Sequence, residues 1–249
     1  MGACWLTLLQ TTNIEEGLHF ILRHFQEPIW PRTISTRTTE VRQVAVFNRE
    51  EAFARFKQAK GLDCRINAYP NYIEWKKMNR QAPNFIFIDV DSSSLTNTDL
   101  TQFLGDVCAK FRDYNIQPTV LQSGRGYHLY LPVRAFVLES EELFQDFEQP
   151  SRKFIQWAEQ YLSDGKADKC HTLGLSFSNC MLRIPCSINS KVNEEVKIIK
   201  HWNRRRPSIR PLLEEFYVDM TEDKIKEIQG IKVKCADNSK FYRYWRTRK

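Results

Sequence analysis

The sequence predicts an α+β fold, and three observations carry that reading. "NFIFIDVD" (Asn84 to Asp91) is an apolar run of strand length that ends in acids. "TVLQSGRGYHLYLPV" holds two apolar stretches separated by two glycines, the signal for a β-hairpin. Amphipathic helical spacing surrounds both, in Leu100, Phe103, Leu104, Val107 and Phe111 and again in Phe154, Ile155, Ala158, Tyr161 and Leu162.

Taken in order, the chain opens with Thr12 and Glu15 at capping-box spacing, followed by Ile14, Leu18, Ile21, Leu22 and Phe25 at helical intervals. "VRQVAVF" (Val41 to Phe47) alternates as a strand, "REEAFARFKQAKG" reads as a helix closed by Gly61, and "CRINAYP" as a short strand. Residues 1–80 are therefore a front α/β module. After the acidic strand come a serine loop (Ser92 to Ser94), the Leu100 helix, the hairpin, and a helix entered at Pro150. "CMLRIP" and "VKIIKHW" are further strands, and a last helix is expected over Thr221 to Ile228. Residues 81–203 form the second module, and 204–249 a basic C-terminal segment that could link to another domain.

The 249 residues, 42% apolar, suffice for a sizeable core. The formal charge of +7 favours acidic partners, and its excess falls late, in Arg204, Arg205, Arg206, Arg210 and the tail from Lys240 to Lys249. Nucleic acid heads the candidates, against a merely solvated basic face. Seven cysteines in apolar stretches fit a reduced chain without disulfides. With no membrane-length apolar run and no signal-peptide pattern, a soluble cytoplasmic protein with no membrane partner is expected.

Alternate residues of a strand share a face, so Asp89 and Asp91 project together, Cα atoms roughly 6.5 Å apart, where the apolar strand gives out. Two carboxylates so placed suit a hard divalent cation such as Mg²⁺ or Mn²⁺. The competing reading is an acidic strand end in solvent. In "SGRGYHLYL", Gly124 and Gly126 let the backbone turn sharply, Arg125 offers a fork of donors and Ser123 a hydroxyl, while His128 reaches back over the turn. That is the construction of a phosphate cradle. In "MLRIPCSINSK", Met181 and Arg183 share a face of a short strand that Pro185 stops, and Arg183 and Lys191 add positive charge.

Taken in this order, the three segments resemble the archaeo-eukaryotic primase (AEP) superfamily, in particular the primase-polymerases of plasmids, viruses and mobile elements. The resemblance covers about Ala82 to Lys191. The family's DxD or DxE strand end is matched by Asp89 and Asp91, and its Ser-Gly-x-Gly-x-His turn by Ser123, Gly124, Gly126 and His128. Arg183, Ile184, Pro185, Ser187, Ile188, Asn189 and Lys191 match the third motif, with Cys186 where many members carry glycine. The resemblance implies an RRM-like antiparallel or mixed sheet flanked by helices, two metal ions on the acids, and His128 with Arg125, Arg183, Ser187, Asn189 and Lys191 on the incoming nucleotide. The implied reaction is DNA-templated nucleotidyl transfer to a 3′-hydroxyl with release of pyrophosphate. Its partners are single-stranded template and primer, nucleoside triphosphates, and a fused or separate helicase.

The family also has a third acid, just upstream of the arginine strand. Asp146, Asp164 and Asp168 lie in the interval; Asp146 sits in an acid-rich stretch and Asp164 precedes Gly165 at a helix end, leaving Asp168. Cys170, His171, Cys180 and Cys186 raise the question of zinc but lack a C-x-x-C pair. Arg204, Arg205 and Arg206 are the candidate DNA contacts. Two rival readings are a non-catalytic RRM-like nucleic-acid-binding module and a DxD metal-dependent glycosyltransferase.

Overall fold

A computed structural model describes residues 13–39, 42–70, 83–91, 95–135, 148–216 and 218–219. Thr12, the serine loop, Asp146, the helix expected at Thr221 and the basic tail lie outside the described residues.

Helix α1 (13–22) buries Ile14, Leu18 and Ile21. Strands β1 (Arg32–Ser35) and β2 (Val44–Val46) follow, then helix α2 (Arg49–Gln58), whose N-cap Asn48 accepts from the Glu51 amide. Strand β3 (Arg65–Asn67) precedes β4 (Phe85–Asp91), the predicted acidic strand. Helix α3 (Asn97–Ala109) opens on a capping box of Thr96 and Asp99, and β5 (Thr119–Gln122) and β6 (Gly126–Pro132) form the predicted hairpin. Then come α4 (Glu148–Leu162), α5 (Lys169–Gly174), β7 (Met181–Arg183), β8 (Ile188–Asn189), β9 (Glu194–Glu195), β10 (Lys197–Lys200) and a helical turn α6 (210–216).

Two four-stranded sheets result, both wholly antiparallel. One has the order β10-β5-β6-β4 and the other β2-β1-β3-β7. The front module thus takes its fourth strand from beyond residue 180, with Arg65 paired to Arg183 in register. A single hydrophobic cluster runs from Ile14 through Phe56, Ile88 and Leu129 to Leu212, so the modules share one core. Helix α4 packs against β4.

Buried polar links reinforce that union. His24 Nε2 meets Thr119 Oγ1 of β5 at 2.6 Å while its Nδ1 reaches the Phe20 carbonyl. Burial holds its pKa down to about 4, so the ring is neutral at physiological pH. Arg206 lies over the Trp202 ring and donates to the carbonyls of His24 and Phe25. Its guanidinium thus braces the fold, while Arg204 and Arg205 are exposed.

Candidate active site

Between the two sheets lies a cleft of about 660 Å³. Its acid wall is the end of β4 and the segment before α5. Asp89, Asp91 and Asp168 all line it. Strand β4 is the sheet's edge, and residues 167–168 close it: Ala167 bridges Val90, and the Asp168 N–H donates to the Asp89 carbonyl at 2.9 Å. That backbone pairing brings a residue 79 positions later in sequence beside the DxD pair. Asp168 also caps α5, its Oδ1 accepting from the Cys170 amide. Asp164, by contrast, pairs with Lys110 outside the cleft.

The rest of the lining is basic. Ser123, Arg125 and Gly126 of the hairpin turn line it with His128, which lies beside Asp89 because β6 pairs in register with β4, and with Arg183, Asn189, Lys191 and Arg65 of β3. Gly124 takes φ +88, a left-handed conformation that glycine adopts without strain, and a Cβ at Gly126 would lie 2.8 Å from the Val90 carbonyl oxygen. Gly124 itself builds the turn and is not among the lining residues. Asn189 locks the turn from below, its Nδ2 donating to the Ser123 carbonyl at 2.8 Å. Ser187 faces inward instead: it is fully buried and donates to the Ile184 carbonyl, so it shapes the loop and does not touch the cleft. Cys186 adopts φ 64, the left-handed region that the family's glycine would occupy at no cost.

His128 is buried within a fixed chain of hydrogen bonds. Tyr130 Oη donates to the Arg183 carbonyl at 3.2 Å, so it can only accept from His128 Nδ1, 3.3 Å away. Burial first, then the charges of Arg183, His171 and Arg65, depress the imidazole pKa well below its usual value. A neutral ring that donates through Nδ1 has its Nε2 lone pair free for the Ser123 hydroxyl at 2.8 Å. Its 3.4 Å approach to Asp89 Oδ1 is then no ion pair.

The acid wall lacks an equivalent balance. Burial raises the Asp89 pKa, and the charges of Asp168 and Asp91 push it the same way, against His171 and Arg183. Three hard oxygen donors whose mutual repulsion is only partly offset suit a divalent cation. Among the described residues no three His, Cys, Asp or Glu side chains already converge at ligand spacing, so the fit is one of donor chemistry. The zinc set does not fit. Cys180 is buried, Cys170 is exposed, and His171 is engaged with Glu159 at 2.8 Å. The five described cysteines are all free.

Neither a protein-family model nor a curated protein matches the chain. Among solved structures, the catalytic domain of primase RepB' in complex with initiator DNA superposes with a TM-score of 0.52 at 14% identity, over 89% of this chain and 100% of that one. The chain has the fold of that primase catalytic domain. A second structure of primase RepB' gives the same TM-score and identity over 86% of this chain and 66% of its own. The AEP domain of cyanophage S-2L primase-polymerase aligns at TM-score 0.48 and 11% identity, over 74% of this chain and 88% of its own.

Three residues in or beside the site had no role in the sequence reading, and a fourth had a different one. Arg65 sits in a three-residue strand held between β1 and β7, and that pairing aims it at the cleft. Asp63 takes φ 52 just after α2, and its carboxylate accepts from Ser190 N at 3.1 Å, from Ser190 Oγ, and from Arg183 at 3.4 Å. Glu159 lies on the buried side of α4, and His171 was weighed only as a zinc ligand. The left-handed turn after Gly61 was the one local signal for Asp63.

Proposed function

We propose that the chain is a DNA-templated nucleotidyltransferase, a primase, a polymerase or both, that joins nucleoside triphosphates to a 3′-hydroxyl with release of pyrophosphate. The observation that carries this is the cleft that gathers Asp89, Asp91 and Asp168 beside His128, Arg125, Arg183 and Lys191. A triphosphate needs both walls. The fold's likeness to a primase solved with initiator DNA supports a DNA partner; a helicase, fused or separate, is a further proposed partner. A nucleic-acid-binding module needs no paired carboxylates beside a phosphate cradle, and a glycosyltransferase leaves the Ser123 to His128 turn without a purpose.

The acids would hold Mg²⁺ or Mn²⁺, and two such ions supply activation of the attacking oxygen and neutralisation of the leaving one. Every other contribution comes from positioning and charge. Arg125, Arg183 and Lys191 offer donors to phosphate oxygens, with Arg183 held by Asp63 and Lys191 by the Asn189 turn. His128, neutral and fixed by Tyr130 and Ser123, presents an oriented ring rather than a mobile charge. Exposed Arg204 and Arg205 remain candidates for template phosphates.

Each wall has its own signature. Asp91→Asn is expected to lower kcat by at least 100-fold, on the order of the ~3 kcal/mol lost with such a charge, while triphosphate binding persists. His128→Ala is expected chiefly to raise KM for the triphosphate. Equal kcat and KM effects from both walls would refute the division of labour.

A further inference from the structure

Glu159 is fully buried, yet it is an acid. Its Oε1 accepts both the Asp89 backbone N–H at 3.0 Å and His171 Nδ1 at 2.8 Å, and its Oε2 has no hydrogen-bond partner among the described residues. A buried carboxylate is costly, and a backbone amide alone could be satisfied more cheaply by a neutral side chain. What distinguishes this one is what it joins. On the outer edge of β4, Asp89 donates its N–H to Glu159 and its carbonyl accepts from the Asp168 amide. His171 stands on the short helix that Asp168 caps, its ring packed edge-on against Phe87 of β4 with centroids 4.5 Å apart. One oxygen atom on α4 thus ties the strand bearing Asp89 to the helix that begins at Asp168.

We propose that Glu159 and His171 form a positioning pair that fixes the spacing of Asp89 and Asp168 for a divalent cation. The inference rests on the reading of those acids as metal ligands. Partners one step behind a metal's ligands orient them, and their loss costs roughly 10- to 100-fold in metal affinity. Neither residue needs to touch the ion or the nucleotide for this role.

The test is Mn²⁺ binding by the full chain, read by electron paramagnetic resonance without nucleotide, with folding checked by circular dichroism. Glu159→Ala and His171→Ala are each expected to raise the Mn²⁺ Kd about tenfold. The double variant should be little worse than Glu159→Ala, because the two act as one unit. Glu159→Gln keeps an oxygen acceptor for both donors and should stay within about threefold of wild type. Should Glu159→Ala not fold, the partly exposed His171 carries the test alone, with His171→Ala. A general electrostatic role has the opposite sign: deleting a basic side chain beside carboxylates would tighten Mn²⁺. Unchanged or tighter binding in folded His171→Ala overturns the proposal. Asp89→Ala is the reference: if it binds Mn²⁺ like wild type, the metal-site reading has failed, whereas a defect in Asp89→Ala alone defeats only the positioning pair.

Discussion

Asp63→Ala should weaken triphosphate use although Asp63 lies on neither the acid wall nor the hairpin turn. Its own amide donates to the Ile188 carbonyl, and the Ile188 amide donates to Gly61, so the turn after α2 runs beside β8 as a parallel strand would. The carboxylate then gathers Ser190 and Arg183. Burial alone would raise its pKa, but the Ser190 hydrogen bonds and the Arg183 guanidinium outweigh that and hold the carboxyl below its usual range. A hydrogen bond to a charged group contributes about 1.5–3 kcal/mol and a buried donor left unpaired costs about 1–3. The Arg183 contact is long at 3.4 Å, so a total near 2–3 kcal/mol of stability follows. If about 1.4 kcal/mol of that is the ordering of Arg183 and of the Asn189 to Lys191 loop, KM for the triphosphate rises about tenfold with kcat little changed. Asp63→Asn keeps an acceptor for the Ser190 amide and loses the charge and the second acceptor oxygen, so about threefold is expected. Primer extension at varied triphosphate, beside urea unfolding, reads both effects. A folded Asp63→Ala with wild-type KM would refute the reasoning.

Asp168→Ala should abolish nucleotidyl transfer while DNA binding persists, and Asp164→Ala, which removes only a partly exposed pair with Lys110, should behave as wild type; reversed effects would misplace the third acid. His24 gives a pH signature. Its folded pKa is depressed to about 4 by burial, so between about pH 6.5 and 4 the unfolded chain takes up a proton that the folded one refuses, and stability falls as pH falls. The loss from this residue approaches about 3 kcal/mol at pH 4. Unfolding free energies measured across that range should therefore decline less steeply in His24→Gln, and an identical slope would contradict the assignment.

Local pattern exposed what local pattern determines. Strand β4, the β5-β6 hairpin, α3 and α4 announce themselves through period, caps and glycines, and so do Asp89, Asp91 and His128, which ride on them. Strand β1 is four residues, RTIS, whose extended form comes from pairing on both sides with β2 and β3. Helix α5, six residues long, and the two-residue strands β8 and β9 likewise depend on tertiary partners, so "SINSK" reads as a polar loop in sequence and as one arm of a small hairpin in space. Ser187 shows the converse. It matches a motif, yet its hydroxyl is spent on the Ile184 carbonyl. Asp63 with Arg65, Glu159, and His171 come from three separate segments, and nothing in any one of them points to the others. Asp168 was reached by elimination and by resemblance; the backbone bond to Asp89 supplies a physical reason for that choice.

The central claim is that the acid wall and the phosphate cradle together make this chain a template-directed nucleotidyltransferase. Its most direct test is incubation with primed and unprimed single-stranded DNA, Mn²⁺ or Mg²⁺ and labelled nucleoside triphosphates, comparing wild type with Asp89→Asn. The account predicts labelled products whose sequence follows the template, made by wild type and lost in a normally folded Asp89→Asn. Product formation by Asp89→Asn at the wild-type rate, or none by wild type with either metal and either class of triphosphate, would contradict it.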